Sequence, residues 1–449
     1  MEICKIPKSG IYLTLFSCIM PIIVCTIMGI SLVYAFLLGI IFSSIISIKN
    51  GFKIYEIKKM VLKGVYECKS LYIVILLIGA TVSVWLSSGV VPTMIYYGLE
   101  YMKDMNFLFV CFLLIALSSV FMGTAVGTIS TIGVAMLGIG KGFGVPTNVL
   151  VGVIVSGSFI ADKISPISGL FNLTLATTET NYKDLTKLSM RTLLPVVVIS
   201  SIIYYFIGTK YQDINSLNSA LEFTDAIKSE FFISPLLLFL PISIIVLSIL
   251  GVKSIYCTLG GVICGTITTI IYQHTTIKEV IRYIILGFKI NTNSQIINNT
   301  LMSGGVVSMI SVLLIVIGTI SLSSILQGTG IINYITKDII EKINNKKELT
   351  LKTGFISSIL TVITCDQTMG IVLPSKLLEY KYKDLGVSKN ILARTISDTG
   401  TIIAPIIPWN VNSIIISLVT GVSCVSYAPY AVLCFLFPLI TILSAIKIK

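Results

Sequence analysis

Residues 11–48 run for 38 positions without a charge. A helix needs about twenty apolar residues to cross roughly 30 Å of hydrocarbon, so this stretch predicts two crossings with a turn near Gly29. Residues 49–69 then place six lysines against Glu56 and Glu67 and read as a loop held on the cytoplasmic side by the positive-inside bias. Residues 71–102 begin as a span, but Ser87-Ser88-Gly89 and Pro92 predict a helix broken near its far end. Residues 107–140 are apolar around a polar centre running from Gly123 to Thr128. Two arms of about 16 residues, roughly 24 Å each at the helical rise, suit a re-entrant hairpin.

The apolar run at 149–155 leads into Ser-Gly-Ser-Phe-Ile-Ala-Asp-Lys-Ile-Ser-Pro-Ile-Ser-Gly-Leu-Phe-Asn at 156–172. Ionisable groups and broken helices are tolerated at membrane depth only where they face protein or a polar cavity, which makes this stretch the first candidate site. Residues 190–208, 233–250 and 254–272 read as three further spans, with the acidic segment 210–230 on the outside. Residues 306–326 form the next span, broken at Gln327-Gly328-Thr329-Gly330, and a lysine-rich loop follows at 337–352. A second hairpin-like run, 351–378, is centred on Cys365-Asp366-Gln367-Thr368. Residues 376–394 carry five basic side chains and read as another cytoplasmic loop, ahead of a span broken between Asp398 and Asn410 and a last helix ending at Ile446. The expected fold is an all-α polytopic membrane protein of about ten transmembrane helices plus two re-entrant hairpins, with both termini inside.

Composition agrees, at 55% hydrophobic and 12% charged residues with a mean hydropathy of +0.97, and no stretch is long or polar enough for a separate soluble domain. A net charge of +12 would point a soluble chain towards nucleic acid, but here the lysines sit in short loops where they orient helices, so no nucleic-acid partner is expected. The ten cysteines include no Cys-x-x-Cys pair and read as small buried hydrophobes, while the lone His274 excludes a histidine metal cluster. The first ten residues precede a long apolar run without a small-residue cleavage pattern, which reads as an anchor and not a removed signal.

The chain also matches itself. Shifted by 242 positions, residues 123–168 fall on 365–410 without a gap: Ile129 meets Ile371, Lys141 meets Lys383, Gly144-Val145 meets Gly386-Val387, Asn148 meets Asn390, Leu150 meets Leu392 and Pro166 meets Pro408. Loops 102–106 and 141–147 are poor in lysine where their counterparts are rich, so the positive-inside bias turns the halves upside down to each other. One membrane transport domain, 1–449, would then hold a first repeat at 49–180 and a second, inverted one at 285–424, the plan of secondary transporters whose site lies at the midplane.

At that crossing point Thr124 and Thr128 are expected from one hairpin tip, Asp366, Gln367 and Thr368 from the other, and the breaks Asp162 to Asn172 and Asp398 to Asn410 from the adjoining helices. Such oxygen-rich groups with three carboxylates, Asp162, Asp366 and Asp398, suit a hard cation such as Na+ and can also trade a proton. Capping of broken helices is the structural alternative for Asp, Ser and Asn. Trp409 is either substrate-facing or an interfacial anchor. Gly138-Ile-Gly-Lys141-Gly lacks both the hydroxyl after the lysine and the full spacing of a nucleotide loop, so transport is expected to run on ion gradients without a cofactor.

At these residues the chain resembles the NhaC-type sodium/proton antiporters of the ion transporter superfamily. The likeness covers about Gly51 to Leu443 and rests on Gly89-Val-Val-Pro-Thr-Met-Ile-Tyr-Tyr97-Gly-Leu, Gly123-Thr, Asp162-x-x-Ser-Pro-x-Ser168, Asp366-Gln and Asp398-Thr-Gly-Thr-x-x-x-Pro-x-x-Pro-Trp-Asn410. It implies cation/proton exchange at the inner or plasma membrane, with some relatives exchanging organic acids or amino acids. One departure stands out: after Ser168 the family continues Asp-Thr-Thr-Asn-Leu, and this chain has Gly169-Leu170-Phe171-Asn172-Leu173. The expectation is a sodium/proton antiporter working by alternating access, with Asp162, Asp366 and Asp398 as carriers assisted by Ser165, Ser168, Asn172, Thr399 and Asn410. The alternative is an ion-coupled exchanger of a small organic acid or amino acid. An enzyme finds no support in any nucleophile–base pair or metal spacing. The expected partners are monovalent cations, protons and the lipid bilayer, with a homodimer among the assemblies left open.

Overall fold

The computed structural model is helical throughout its described residues, which are 5–211, 214–252, 254–290, 292, 297–298 and 301–446. The cytoplasmic placement expected for the two chain ends falls outside them. In chain order the helices are α1 Lys8–Met28, α2 Leu32–Lys49, α3 Ile54–Glu67, α4 Lys69–Ser87, α5 Val90–Met102, α6 Phe107–Met122, α7 Ala125–Gly142 and α8 Thr147–Ser158. After a single turn, Ala161–Ile164, come α9 Gly169–Thr178, α10 Tyr182–Gly208, α11 Ile214–Glu230, α12 Pro235–Ile249, α13 Ser254–Tyr272 and α14 Ile277–Leu286. The remaining helices are α15 Gly305–Gly328, α16 Ile331–Glu341, α17 Lys346–Thr364, α18 Gln367–Asp384, α19 Lys389–Ile396, α20 Val411–Thr420 and α21 Val432–Ile446. Among the described residues eight helices are long and apolar enough to cross a membrane, or up to eleven spans if each sharply bent pair counts as one, against about ten crossings expected beside the two hairpins.

The uncharged start of the chain forms α1 and α2 as expected, turning at Gly29, whose left-handed φ of 66° lets its N–H close on the Cys25 carbonyl. Two basic stretches read as loops are helical instead, and so is most of the acidic segment placed outside. Residues 54–67 form α3, opened by the Glu56 carboxylate accepting from the Lys53 N–H at 2.8 Å, with Ile57 buried while Leu62 and Tyr66 stay exposed. It lies along α15, where Gly64 faces Ser324 and Gly328 faces Met60 at distances that leave no room for a side chain. The acidic segment holds α11, and the basic stretch 376–394 is mostly the ends of α18 and α19. Amphipathic periodicity inside a charged stretch was outweighed by its net charge.

Buried apolar side chains gather in two main clusters, one built largely from residues 75–160 with parts of 193–316 and 402–437, the other from 6–36 and 315–396. Backbone conformations recur between them. Gly123 (φ 70°) and Cys365 (φ 58°) both end a helix in the left-handed region, and Thr124 and Asp366 both open the next from an extended conformation, at φ −143° and −139°. Cys365 thus holds a position that a glycine occupies at lower cost, the difference being roughly 1–2 kcal/mol. Gly89 and Gly330, at φ 79° and 78°, mark matched breaks between α4 and α5 and between α15 and α16.

These repeats interlock. α9, which follows the first break, packs against α18 of the second hairpin, and α20, which follows the second break, packs against α7 of the first. Helices α10 and α21 lie against one another and each reaches both crossing helices, α8 and α19 with its extension.

Candidate functional site

Helix α19 does not stop at Ile396 but widens into a π turn, Ser397–Thr401, followed by a short 3-10 turn at Ala404–Ile406. Single π turns relax the hydrogen-bond ladder and often re-aim side chains where function needs them. Here the turn carries Asp398, fully buried, into the space between α10, α21 and the first break. Its Oδ2 accepts from Thr441 Oγ1 of α21 at 2.8 Å, its Oδ1 from Thr192 Oγ1 of α10 at 3.4 Å, and Arg394 Nε stands 3.8 Å from Oδ2.

The nearest partner of Asp398 comes from the other half of the chain. Lys163, in the single turn between α8 and the first break, is completely buried and its Nζ is in direct contact with Asp398 Oδ1. The ammonium also lies 4.4 Å from the centre of the Phe437 ring, a cation–π distance. Arg394 is steadied by a 3.1 Å bond from Nη2 to Ser444 Oγ. Asp162, beside Lys163 and 6% exposed, accepts from Ser168 Oγ at 3.0 Å, and the same hydroxyl caps α9 by accepting from the Phe171 N–H. One buried carboxylate, Asp398, therefore stands between two buried cations, while Asp162, next to Lys163 in the chain, is held by a hydroxyl, and such pairing matters because an unpaired ion at membrane depth is costly.

A second polar group forms at the tip of the second hairpin. Asp366, half-buried, caps α18 by accepting from the Thr368 N–H and hydroxyl at 3.2 and 3.3 Å. Gln367 donates to the Thr401 carbonyl at 2.5 Å and accepts from Asn412 at 2.9 Å, while the Trp409 indole donates to the Val362 carbonyl at 2.9 Å and the Val411 N–H to the Cys365 carbonyl at 3.2 Å. The tip is thereby sewn to the second break, and Asn410 opens α20 with its carboxamide oxygen. Its Nδ2, with Thr395 Oγ1, Ser397 Oγ and Thr401 Oγ1, is buried without a hydrogen-bond partner. Buried polar atoms left unspent are available to an ion or a polar substrate.

Asp162, Asp366 and Asp398, expected as ion and proton carriers, do not meet as one three-carboxylate group. Among the described residues no three His, Cys, Asp or Glu side chains form a metal-binding group, and the oxygens of Asp398 are occupied by a lysine, an arginine and two hydroxyls. Several other expected site residues serve the backbone. Thr124 caps α7, Thr128 bonds back to the Thr124 carbonyl, Ser165 donates to the Val120 carbonyl at 2.6 Å, and Thr399 donates to the Thr395 carbonyl. Asn172 is exposed and returns its amide to the Pro166 carbonyl at 2.9 Å.

Lys163, Arg394, Thr192 and Thr441 are the partners that sequence reasoning missed. The rule that singled out Asp162 applies equally to Lys163, an ionisable residue within the same apolar stretch. Arg394 was counted into a basic loop, whereas it is buried on the last turn of α19.

Comparison with known proteins points the same way as this arrangement. The profile of the Na+/H+ antiporter family matches residues 171–446. The chain is 31% identical to the Na+/H+ antiporter NhaC of Alkalihalophilus pseudofirmus over 82% of its own length and 80% of that protein's. It is 27% identical to the malate-2H+/Na+-lactate antiporter of Bacillus subtilis, over 87% of this chain and 84% of that one. The arginine/ornithine antiporter ArcD of Halobacterium salinarum is 26% identical, over 86% and 80%.

Proposed function

Since the chain belongs to the Na+/H+ antiporter family, we propose that it exchanges Na+ for protons across the cell membrane, using the buried carboxylates at its broken helices. The observation that carries this reading is the buried ionic cluster of Lys163, Arg394 and Asp398, with the buried Asp162 one residue before Lys163, where the two repeats interlock. Carboxylates at that depth bind a cation or a proton, and either change must be compensated by another charge moving. The unspent hydroxyls of Thr395, Ser397 and Thr401 and the Asp366 carboxylate supply further oxygen ligands on the second half of the chain. Alternating access then works by movement of inverted halves, with the lysine-rich segments at 49–69 and 376–394 and both termini on the cytoplasmic face. No cofactor enters the scheme.

A second reading is favoured by one feature. Gly169-Leu170-Phe171 stands where the resemblance places Asp-Thr-Thr, so the first break offers one carboxylate and two hydroxyls fewer. With Lys163 and Arg394 buried nearby, such a site also suits the carboxylate of a small organic acid or amino acid, the class of cargo named for two of the relatives.

Purified protein in liposomes holding an internal pH dye decides between them. Proton flux driven by Na+ or Li+ gradients alone supports cation exchange, whereas flux that needs an added organic anion or amino acid supports the second reading.

A further inference from the structure

Helix α15 is long and apolar enough to cross a membrane, and each of its ends meets an amphipathic helix. Its 24 residues run roughly 36 Å at the helical rise, the thickness of the hydrocarbon and its edges. α14 meets the start, where Gly305 has no room for a side chain against the Ile284 and Ile285 carbonyls. α3 meets the end, with Met60 against Gly328 and Gly64 against Ser324. The two helices therefore lie towards opposite faces of the bilayer, and α3 reaches the level of the lipid headgroups.

Their outward faces are built differently. α14 turns out Ile277, Ile281 and Ile285, an apolar stripe with Lys278 and Arg282 along one edge only. On α3 the spacing i, i+7, i+11 aligns Tyr55, Leu62 and Tyr66, which are 72, 57 and 68% exposed. Lys58 falls on one side of that line and Lys59 and Lys63 on the other, all exposed, and the six side chains line a shallow groove. Lys69, the first residue of α4, stands 4.6 Å over the Tyr66 ring and adds a fourth cation at that end. Two anions lie nearby: the Glu56 carboxylate is taken by the Lys53 N–H at 2.8 Å, and Glu67 stands 4.0 Å from Lys63 in an exposed pair. Four lysines thus outnumber two glutamates between residues 54 and 69.

Neither water alone nor hydrocarbon alone suits this face. A solvated one has no use for two tyrosines and a leucine in line between its charges, and one immersed in lipid tails would not carry three lysines. Retention of a basic segment on one side of the membrane depends on how many lysines it holds, not on their sorting to either side of an aromatic line. We propose that the outward face of α3 binds an anionic phospholipid at the bilayer surface, its phosphate taken up by Lys58, Lys59 and Lys63 and the upper part of its chains laid along Tyr55, Leu62 and Tyr66. Charge complementarity selects this occupant. Lysine stems cover apolar surface while their ammonium groups reach phosphate oxygens, tyrosines settle at the headgroup boundary, and a polybasic amphipathic helix is drawn to an anionic surface. α14, with cations on one edge only, has the apolar half of such a site without the headgroup half. The inference holds whichever cargo the protein exchanges.

Full-length protein in uncharged detergent, titrated with fluorescent short-chain phosphatidylglycerol and with phosphatidylcholine of the same chains, provides the test. Thermal unfolding of the same samples reports folding independently. The wild type is expected to bind phosphatidylglycerol at least tenfold more tightly than phosphatidylcholine at about 0.1 M salt, with a preference that shrinks as salt is added. Lys58→Gln, Lys59→Gln and Lys63→Gln combined should lose that preference, since each lysine near an anionic surface contributes about fivefold. All three are exposed, so the unfolding temperature without lipid should not change. Lys278→Gln with Arg282→Gln, on α14, should keep the preference. Leu62→Ser should weaken the binding of both lipids, and sn-glycerol 3-phosphate, a headgroup without chains, should displace neither. A wild type that does not prefer phosphatidylglycerol overturns the inference, as does full preference in the folded triple variant, equal loss in the α14 variant, or displacement by glycerol phosphate.

Discussion

The two crossing helices meet the same two neighbours and are treated differently by them. In the first half, Ser156 of α8 accepts from the Tyr204 hydroxyl of α10 at 2.6 Å and from the Leu433 N–H of α21, and Tyr204 in turn receives the Val432 N–H. Every contact there is neutral, and the surroundings are close-packed, with no space for a side chain at Gly152 against Tyr430. In the second half α10 and α21 offer Thr192 and Thr441 to a carboxylate that is also held by a lysine from the first break. The helix around it opens into a π turn where α8 ends plainly. The repeat supplies two equivalent crossings, and substitution has made one a locked joint and the other an ionic centre.

Breaking the ionic side should have the largest effect. Asp398→Asn leaves Lys163 and Arg394 without their shared anion, so we expect a loss of exchange of at least 100-fold in proteoliposomes and a stability cost of about 3–5 kcal/mol. Asp104→Asn, exposed in the loop before α6, should leave both unchanged. Equal damage from Asp104→Asn would mean that flux reports the fold and not the site.

Next in size is Phe171→Thr. The ring is fully buried, edge-on to Tyr182 at 5.7 Å and packed with Leu185 and Ala393, so its removal should lower stability by about 3 kcal/mol through the cavity left behind. That is a packing role, unlike that of a polar residue at the same place, and thermal unfolding would expose the cost even where flux survives.

Tyr204→Phe tests the neutral joint. It strips the donor from Ser156 and the Tyr430 carbonyl and the acceptor from the Val432 N–H, which predicts a loss of about 1–3 kcal/mol with the half-saturating Na+ concentration unchanged. A shift in cation affinity would show that the two crossings are energetically coupled.

Gly169→Asp should perturb least. The position is exposed, and a Cβ there meets nothing within 4 Å, so stability should move by no more than about 0.5 kcal/mol. A lower half-saturating Na+ concentration in flux assays would tie this position to cation binding; no change at any pH favours the organic cargo.

The hairpins, the breaks and the turn at Gly29 were legible because each is announced locally, by glycine, proline or a capping residue within an apolar run. The pairing of Lys163 with Asp398 was not, since nothing in the intervening sequence fixes which buried ions will face each other once the helices interlock. Nor does the sequence announce that the hydroxyls of Ser165, Thr128 and Thr399 donate to carbonyls of their own or a neighbouring helix, as serine and threonine often do, while their oxygens keep lone pairs for a ligand. Residues 54–67 were misread because the six lysines of 49–69 dominate a stretch whose apolar side chains still follow the helical period.

Helices α10 and α21 resemble a pair of jointed struts. Each reaches the neutral crossing at one end and the ionic crossing at the other, through Tyr204 and Thr192 in α10 and through Leu433 and Thr441 in α21. Between its two points of attachment each carries a proline, Pro195 and Pro438 respectively. A proline inside a helix gives up one backbone bond and leaves a place where bending costs less. Any rocking of one half against the other that keeps all four attachments must be taken up along these two spans, and each is already hinged there.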